Sequence, residues 1–225
     1  MDVQKKRHLF LMVASLILAL PFDKSLYNLL LPISNSTFGT LWAHFADLAG
    51  NGLVQIIFFV VIAASYRLLT QKGFWEITIS CSLAIALSGL ISQILKIIIG
   101  RPRPGMLMPS WELSFFSTAS DFHSFPSGHA AASFSIAFCL VHFMPRLKYL
   151  WIGLATAVSL GRVIGQAHFL SDIIAGAIVG LISSTLSLAH KNFLFKIISR
   201  SNLNRIFSIT SFRLWKRLLH FARND

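Results

Sequence analysis

Of the 225 residues, 55% are hydrophobic and only 12% are charged, and the mean hydropathy is +0.68. A soluble domain is nearer a quarter charged, so an ordinary soluble domain is excluded and an integral membrane protein in one bundle is indicated. The net charge of +12 does not point to nucleic acid, because the cations sit in the connections and the C-terminal tail, as in membrane proteins.

The chain opens with Lys5-Lys6-Arg7 and an apolar run from Leu9 to Phe22, the outline of a secretory signal. Pro21, Phe22 and Asp23 stand where a small-residue cleavage site would follow, so an uncleaved first helix over 8–22 is predicted, extended by the apolar stretch 26–33. Residues 34–52 form a polar and aromatic connection. Trp42, Phe45 and Leu48–Ala49 fall at helical spacing there, predicting a short amphipathic helix at the membrane interface. His44 and Asp47, three apart, are read as a wet helix face in preference to a functional pair.

Helix two is predicted over 53–70 and helix three over 74–99, with Lys96 in its last turn. A 29-residue connection, 100–128, follows, and a loop that long inside a bundle is usually functional or disordered. Its Trp111, Phe115, Phe116, Phe122 and Phe125 read as an interfacial belt or as a guide for a lipid; His123 and Asp121 read as loop polar groups. Helix four is predicted from His129 to about Met144, helix five over 149–164 and helix six over 168–190. Cys81 and Cys139 lie in apolar runs without metal or disulfide spacing, and read as small apolar side chains. The tail, 191–225, is basic. Its segment 212–222 sets Phe212, Trp215 and Leu219 on one face, away from Arg213, Lys216 and Arg217, which predicts an interfacial helix.

The predicted fold is therefore all-α. A bundle of six transmembrane helices occupies 1–190, with its functional core at 96–172, and 191–225 is a basic cytoplasmic tail. Short amphipathic helices are placed in the first outer loop and in the tail. With the N-terminus in the cytoplasm, fifteen Lys and Arg fall in inner segments and five in outer ones, the sense of the positive-inside rule. That orientation places the ends of helices three to six that carry Lys96, His129, Arg162, His168 and Asp172 on one extracytoplasmic face.

These residues suit one phosphate group. Lys96, Arg103 and Arg162 are fixed cations for the charge spread over the oxygens of a phosphoryl group in transfer. Pro102 and Pro104 restrict the backbone on both sides of Arg103. In Pro126-Ser127-Gly128-His129, Ser127 is a good N-cap and Gly128 lets a ligand approach the backbone. The free N–H groups of the helix that follows form an anion site, and His129 stands ready as a proton donor. His168 and Asp172 are four apart: an Asp that accepts Nδ1–H orients the ring and leaves Nε2 as a nucleophile. The roles assigned are attack by His168, orientation by Asp172 and proton transfer by His129. Lys96, Arg103, Ser127, Gly128 and Arg162 bind phosphate, and neither metal nor cofactor is required.

Lys96 with Arg103-Pro104, the PSGH of 126–129, and Arg162 followed by His168 and Asp172 together resemble the type 2 phosphatidic acid phosphatase superfamily. The three parts match at their internal spacings, across 96–172. One departure is Gly161, where the family usually carries a Ser that helps bind phosphate. The resemblance implies a metal-independent phosphatase of the bacterial inner membrane acting through a phosphohistidine. The implied partner is a phosphorylated lipid: undecaprenyl pyrophosphate, phosphatidate, phosphatidylglycerophosphate or lipid A. Alternatives are a lipid-to-lipid phosphotransferase and a non-catalytic lipid-binding or transport protein. Soluble vanadium haloperoxidases share the motif, but spanning helices set this chain apart. No feature of the sequence bears on oligomeric state.

Overall fold

The computed structural model describes residues 3–70, 75–106 and 108–200, with side chains placed over 7, 9–65, 76–106 and 108–190. It contains helices α1 (Val3–Ala19), α2 (Asp23–Ser34), α3 (Thr37–Ala49), α4 (Gly52–Thr70), α5 (Trp75–Ile99), α6 (Gly128–Phe143), α7 (Lys148–Ile164) and α8 (Leu170–Arg200). Among the described residues there is no β-strand, only an isolated parallel bridge between Arg101 and His123. The amphipathic helix predicted at 212–222 lies outside the described residues. α8 runs on to Arg200, past its predicted end at 190.

Four stretches are long and apolar enough to cross a membrane: Leu9–Ser34, Glu76–Ile99, Pro145–Ile164 and Leu170–His190. The first joins α1 and α2 through the 3-10 turn Leu20–Phe22, so the predicted extension of the first helix is present. A fifth span results if α3 and α4, bent by 63° at their junction, count as one. α6 has 16 residues, about 24 Å of helix against ~30 Å of hydrocarbon. Length and hydropathy among the described residues thus give four or five spans rather than the six predicted.

The packing is that of a membrane bundle. Large apolar side chains such as Phe10, Leu18, Leu29, Phe58, Val61, Leu90 and Leu150 are exposed, while the interior is rich in Ala and Ser. Lipid is as apolar as Leu, so helices associate through close approach of small residues rather than by burying large ones. α6 is the central element. Ala130, Ala131, Ala132, Ser133, Ser135, Ala137 and Cys139 are all buried, and α6 packs on α5, α7 and α8. Gly176 and Gly180 of α8 admit the α6 backbone so closely that a Cβ at either would lie within 3 Å of α6 or its cap, against Ser127 O and Ala131 O respectively. Cys81 and Cys139 are free and lie in one apolar cluster with Phe59, Ala84 and Leu140, as small core side chains.

The connection 100–128 is folded. It turns away from α5 at Gly100, whose φ of +57° suits glycine and whose Cβ would fall 1.6 Å from Ser114 O. Arg101, Pro102, Ser110, Ser124 and Pro126 are buried within it, whereas Trp111, Phe115 and Phe116 stand exposed.

Candidate active site

The N-terminus of α6 is capped as the sequence predicts. Ser127 is extended (φ −69°, ψ 116°), and its Oγ accepts a bond from Ala130 N at 3.4 Å. The helix begins at Gly128, one residue earlier than expected, and His129 stands on its first turn. Ser127 N donates to Asp172 O at 3.0 Å, which ties this cap to the first turn of α8.

The expected helix start at His168 is displaced: α8 begins at Leu170, so His168 lies in the connection between α7 and α8. Its N–H donates to Arg162 O at 3.3 Å, fixing it against the end of α7. His168 and Asp172 therefore meet across the start of α8 rather than along its face. Both are buried. Asp172 Oδ2 accepts from Phe169 N at 2.8 Å and from Ser124 Oγ at 2.5 Å. His168 Nδ1 lies 3.7 Å from that same Oδ2, within ion-pair range but too far for a hydrogen bond, and has no hydrogen-bond partner among the described residues. Burial pushes the His168 pKa below its ordinary value, while Asp172 pulls it in the opposite direction.

Two further charges surround Asp172 that the sequence reading did not assign to the site. Arg101 is buried, and its Nη1 donates to Asp172 Oδ1 at 2.5 Å and to Ser171 Oγ at 2.6 Å. Its Nη2 reaches Asp23 Oδ2 at 2.7 Å, its Nε donates to Ser110 O at 3.1 Å, and the guanidinium lies 4.6 Å from the Phe169 ring centroid. Asp23, also buried, accepts in addition from Ser171 N and Ser171 Oγ. A signal for it existed: an Asp inside a 26-residue apolar stretch is costly without a cation partner.

The three predicted phosphate-binding cations are held by different means. Lys96 Nζ donates to His123 O at 2.5 Å. Arg103 Nε donates to Ser120 O at 3.1 Å, and its backbone N to Asp121 O at 2.9 Å. His123 and Asp121 thus serve through their carbonyls, and the His123 ring nitrogen Nε2 lies 2.9 Å from Ser117 O. Arg162 Nη1 pairs at 2.5 Å with Asp47 Oδ1. Asp47 is exposed on its helix face as predicted, and in addition its Oδ1 and its carbonyl O lie 3.3 and 3.1 Å from His129 Nε2. His44 is exposed on the same helix.

The short helix predicted in the 34–52 connection is present as α3, with Phe38, Leu41, Phe45 and Leu48 exposed. Ser36 caps it, with Oγ accepting from Gly39 N at 3.0 Å, and it packs on α7, where Trp42 Nε1 donates to Ala157 O at 3.1 Å. This contact explains Gly161. A Cβ there would lie 2.3 Å from Ala46 Cβ and 3.0 Å from Trp42 Cδ1. The family's usual Ser has no room while α3 sits in this position.

Lys96, Arg103, Ser127, Gly128, His129, Arg162, His168 and Asp172 lie at the ends of α5–α8 or in the segments joining them, linked by the contacts above. Two ring nitrogens, a buried carboxylate, three cations and a helix N-terminus so arranged can hold a tetrahedral anion and pass protons to and from it. Among the described residues, no group of three or more His, Cys, Asp or Glu side chains is placed to hold a metal ion.

Comparison with known proteins gives the family and the fold. A family model described as the PAP2 superfamily matches residues 78–195. A lipid A 1-phosphatase of Rhizobium johnstonii is 33% identical over 204 residues, covering 84% of this chain and 83% of its own. Among solved structures, Aquifex aeolicus LpxE superposes with a TM-score of 0.59 at 25% identity, covering 75% of this chain and 95% of the other. A PAP2-type phosphatidylglycerolphosphate phosphatase from Bacillus subtilis superposes with a TM-score of 0.60 at 22% identity, covering 84% and 95%, and this shows the shared fold. With the motif residues gathered at one set of helix ends, and the family model spanning α5 to α8, the chain belongs to the PAP2 superfamily.

Proposed function

We propose that the chain is an integral membrane lipid phosphatase that hydrolyses a lipid phosphomonoester or pyrophosphate through a phosphohistidine, without a metal ion. The observation that supports it best is the meeting of His168, Asp172, His129 and three cations among apolar helices. Nε2 of neutral His168 attacks phosphorus as the bond to the leaving oxygen breaks, and His129 gives that oxygen a proton. His129 then takes a proton from water as the water oxygen attacks the phosphohistidine. The P–N bond breaks, and inorganic phosphate leaves. Asp172 orients His168 from the Nδ1 side, the 3.7 Å separation shortening as substrate binds. Lys96, Arg103, Arg162 and the N–H groups near Ser127–Gly128 hold the phosphoryl oxygens and supply the charge stabilisation that a metal supplies elsewhere.

The relative matched over most of both chains carries a lipid A 1-phosphatase name, which favours a phosphate on a lipid A-type molecule as first substrate. In this reading the bundle has six spans, with α4 the second and the short α6 the fourth, and α3 is bent back along the outer half of α7. The Lys and Arg distribution puts both termini in the cytoplasm and the site on the extracytoplasmic face of the inner membrane. Exposed Trp111, Phe115 and Phe116 stand at that face to meet lipid.

The test is phosphate release by purified protein in detergent from lipid A, phosphatidylglycerophosphate, undecaprenyl pyrophosphate and phosphatidate. Release is expected from lipid A first, unaffected by EDTA and inhibited by orthovanadate. His168→Ala is expected to abolish release while lipid binding survives. Undiminished release by that variant would remove the mechanism, and a strict metal requirement would remove the metal-free reading.

A further inference from the structure

Asp47 is the one carboxylate among the described residues that reaches both a phosphate-binding cation and the proton-donating histidine. Its Oδ1 lies 2.5 Å from Arg162 Nη1 and 3.3 Å from His129 Nε2. It is the more open partner: its side chain is 62% exposed, whereas that of Arg162 is 13% exposed. Arg162 Nε is buried with no hydrogen-bond partner among the described residues, so the guanidinium has donor capacity that its protein contacts leave unused.

The helix that carries Asp47 is built to bring it there. Gly161 of α7 and Gly165, which caps its C-terminus, let α3 approach until Ala46 and Ala43 touch this backbone, and Ala46 is fully buried. That contact fixes the register, and the next residue, Asp47, projects toward Arg162. Asp47 also lies in the last turn of α3, where the negative end of the helix dipole disfavours an anion. The pairing with Arg162 and His129 compensates for that placement. A carboxylate in this position is at the same time a like charge to any phosphate that binds the same two groups.

We infer that Asp47 is a resident counter-anion of the phosphate seat. It pairs with Arg162 and His129 when no phosphate is bound, swings into water when the substrate phosphoryl group arrives, and returns to displace inorganic phosphate. The inference rests on the lipid phosphatase reading and adds to it a means of product release. Three cations and two histidines would otherwise hold the product dianion as well as they hold the substrate, and product release sets many turnover rates. An exposed side chain with free rotamers can make this exchange without repacking the bundle.

The experiment compares Asp47→Asn, Asp47→Ala and Asp47→Glu in full-length detergent-purified protein. Inorganic phosphate and orthovanadate binding is read by thermal shift, and inhibition by phosphate during lipid hydrolysis is read alongside. Both neutral variants are expected to bind phosphate at least about fivefold more tightly and to be inhibited by it correspondingly more, with KM for the lipid reduced. Asp47→Glu, which keeps the charge, is expected to restore wild-type phosphate affinity. Unchanged or weaker phosphate binding in both neutral variants would overturn the inference and mark Asp47 as a static support for His129. The binding measurement needs no turnover. A missing lipid phosphatase activity would therefore leave the tighter binding of Asp47→Asn in place, while a wrong role for Asp47 would remove it.

Discussion

Charge is scarce in this molecule, and the chemistry of each buried charged residue follows from its neighbours. Asp172 accepts from Arg101, Ser124 and the Phe169 amide, so its negative charge is matched without His168 having to be protonated. His168 lies outside the spans, and burial lowers its pKa more than Asp172 raises it. In the proposed mechanism the attacking form is neutral imidazole, and a depressed pKa keeps it populated below the ordinary value of about 6.5. The acid limb of the kcat/KM profile is therefore expected below pH 6.5, with activity lost only as the pH falls through the depressed value. Asp172→Asn removes the group that favours the imidazolium, so the limb is expected to move further to the acid side while kcat falls by at least about 100-fold. A limb at or above pH 6.5 in the wild type would contradict the neutral, buried nucleophile. At this scale His168, Asp172, His129 and the motif cations stand out in the sequence as candidates, because the spacings within each motif are short. Arg101 does not, because its two carboxylate partners are 71 and 78 positions away.

Among the elements, α3 shows that periodicity reads only one of the two faces of a helix. Phe38, Leu41, Phe45 and Leu48 are exposed and give the apolar pattern that reads as an interfacial helix. The other face is made of small residues, which carry little hydropathy: Ala43 and Ala46 permit close approach to the end of α7, and Gly39 lies against Ile33 of α2. Gly161→Ser, which restores the family's usual residue, is expected to destabilise the protein by about 1–3 kcal/mol through overpacking against Ala46 and Trp42. Thermal unfolding in detergent measures this. The double variant with Ala46→Gly is expected to recover most of the loss, and a stable single variant would show that α3 is not held against Gly161.

In the molecule as a whole, the first and last spans and the loop between α5 and α6 are joined by one buried ionic network. Asp23 comes from the first span, Arg101 from the loop, and Ser171 and Asp172 from α8. Removing Asp23 leaves Arg101 Nη2 and both Ser171 donors without their buried acceptor, although Arg101 stays paired with Asp172, and costs about 3 kcal/mol. Asp23→Ala is accordingly expected to lower the melting temperature by about 10 °C in detergent. Arg101→Met, which strands two carboxylates, is expected to cost more and to reduce turnover as well. A melting temperature unmoved by Asp23→Ala would show that the network does not hold the first span to the site.

The sequence by itself determined the class of protein and the family motif from which its site chemistry is proposed. Composition alone requires a membrane, and the spacing of Lys96–Arg103, Ser127–His129 and Arg162–Asp172 is set along short lengths of chain. Tertiary structure alone decided what surrounds that chemistry. Asp47 meets His129 across 82 positions and Arg162 across 115, and Asp23 meets Arg101 across 78. Such pairs are made by the close approach of small-residue helix faces, and no local pattern in the chain carries the distance between two helices.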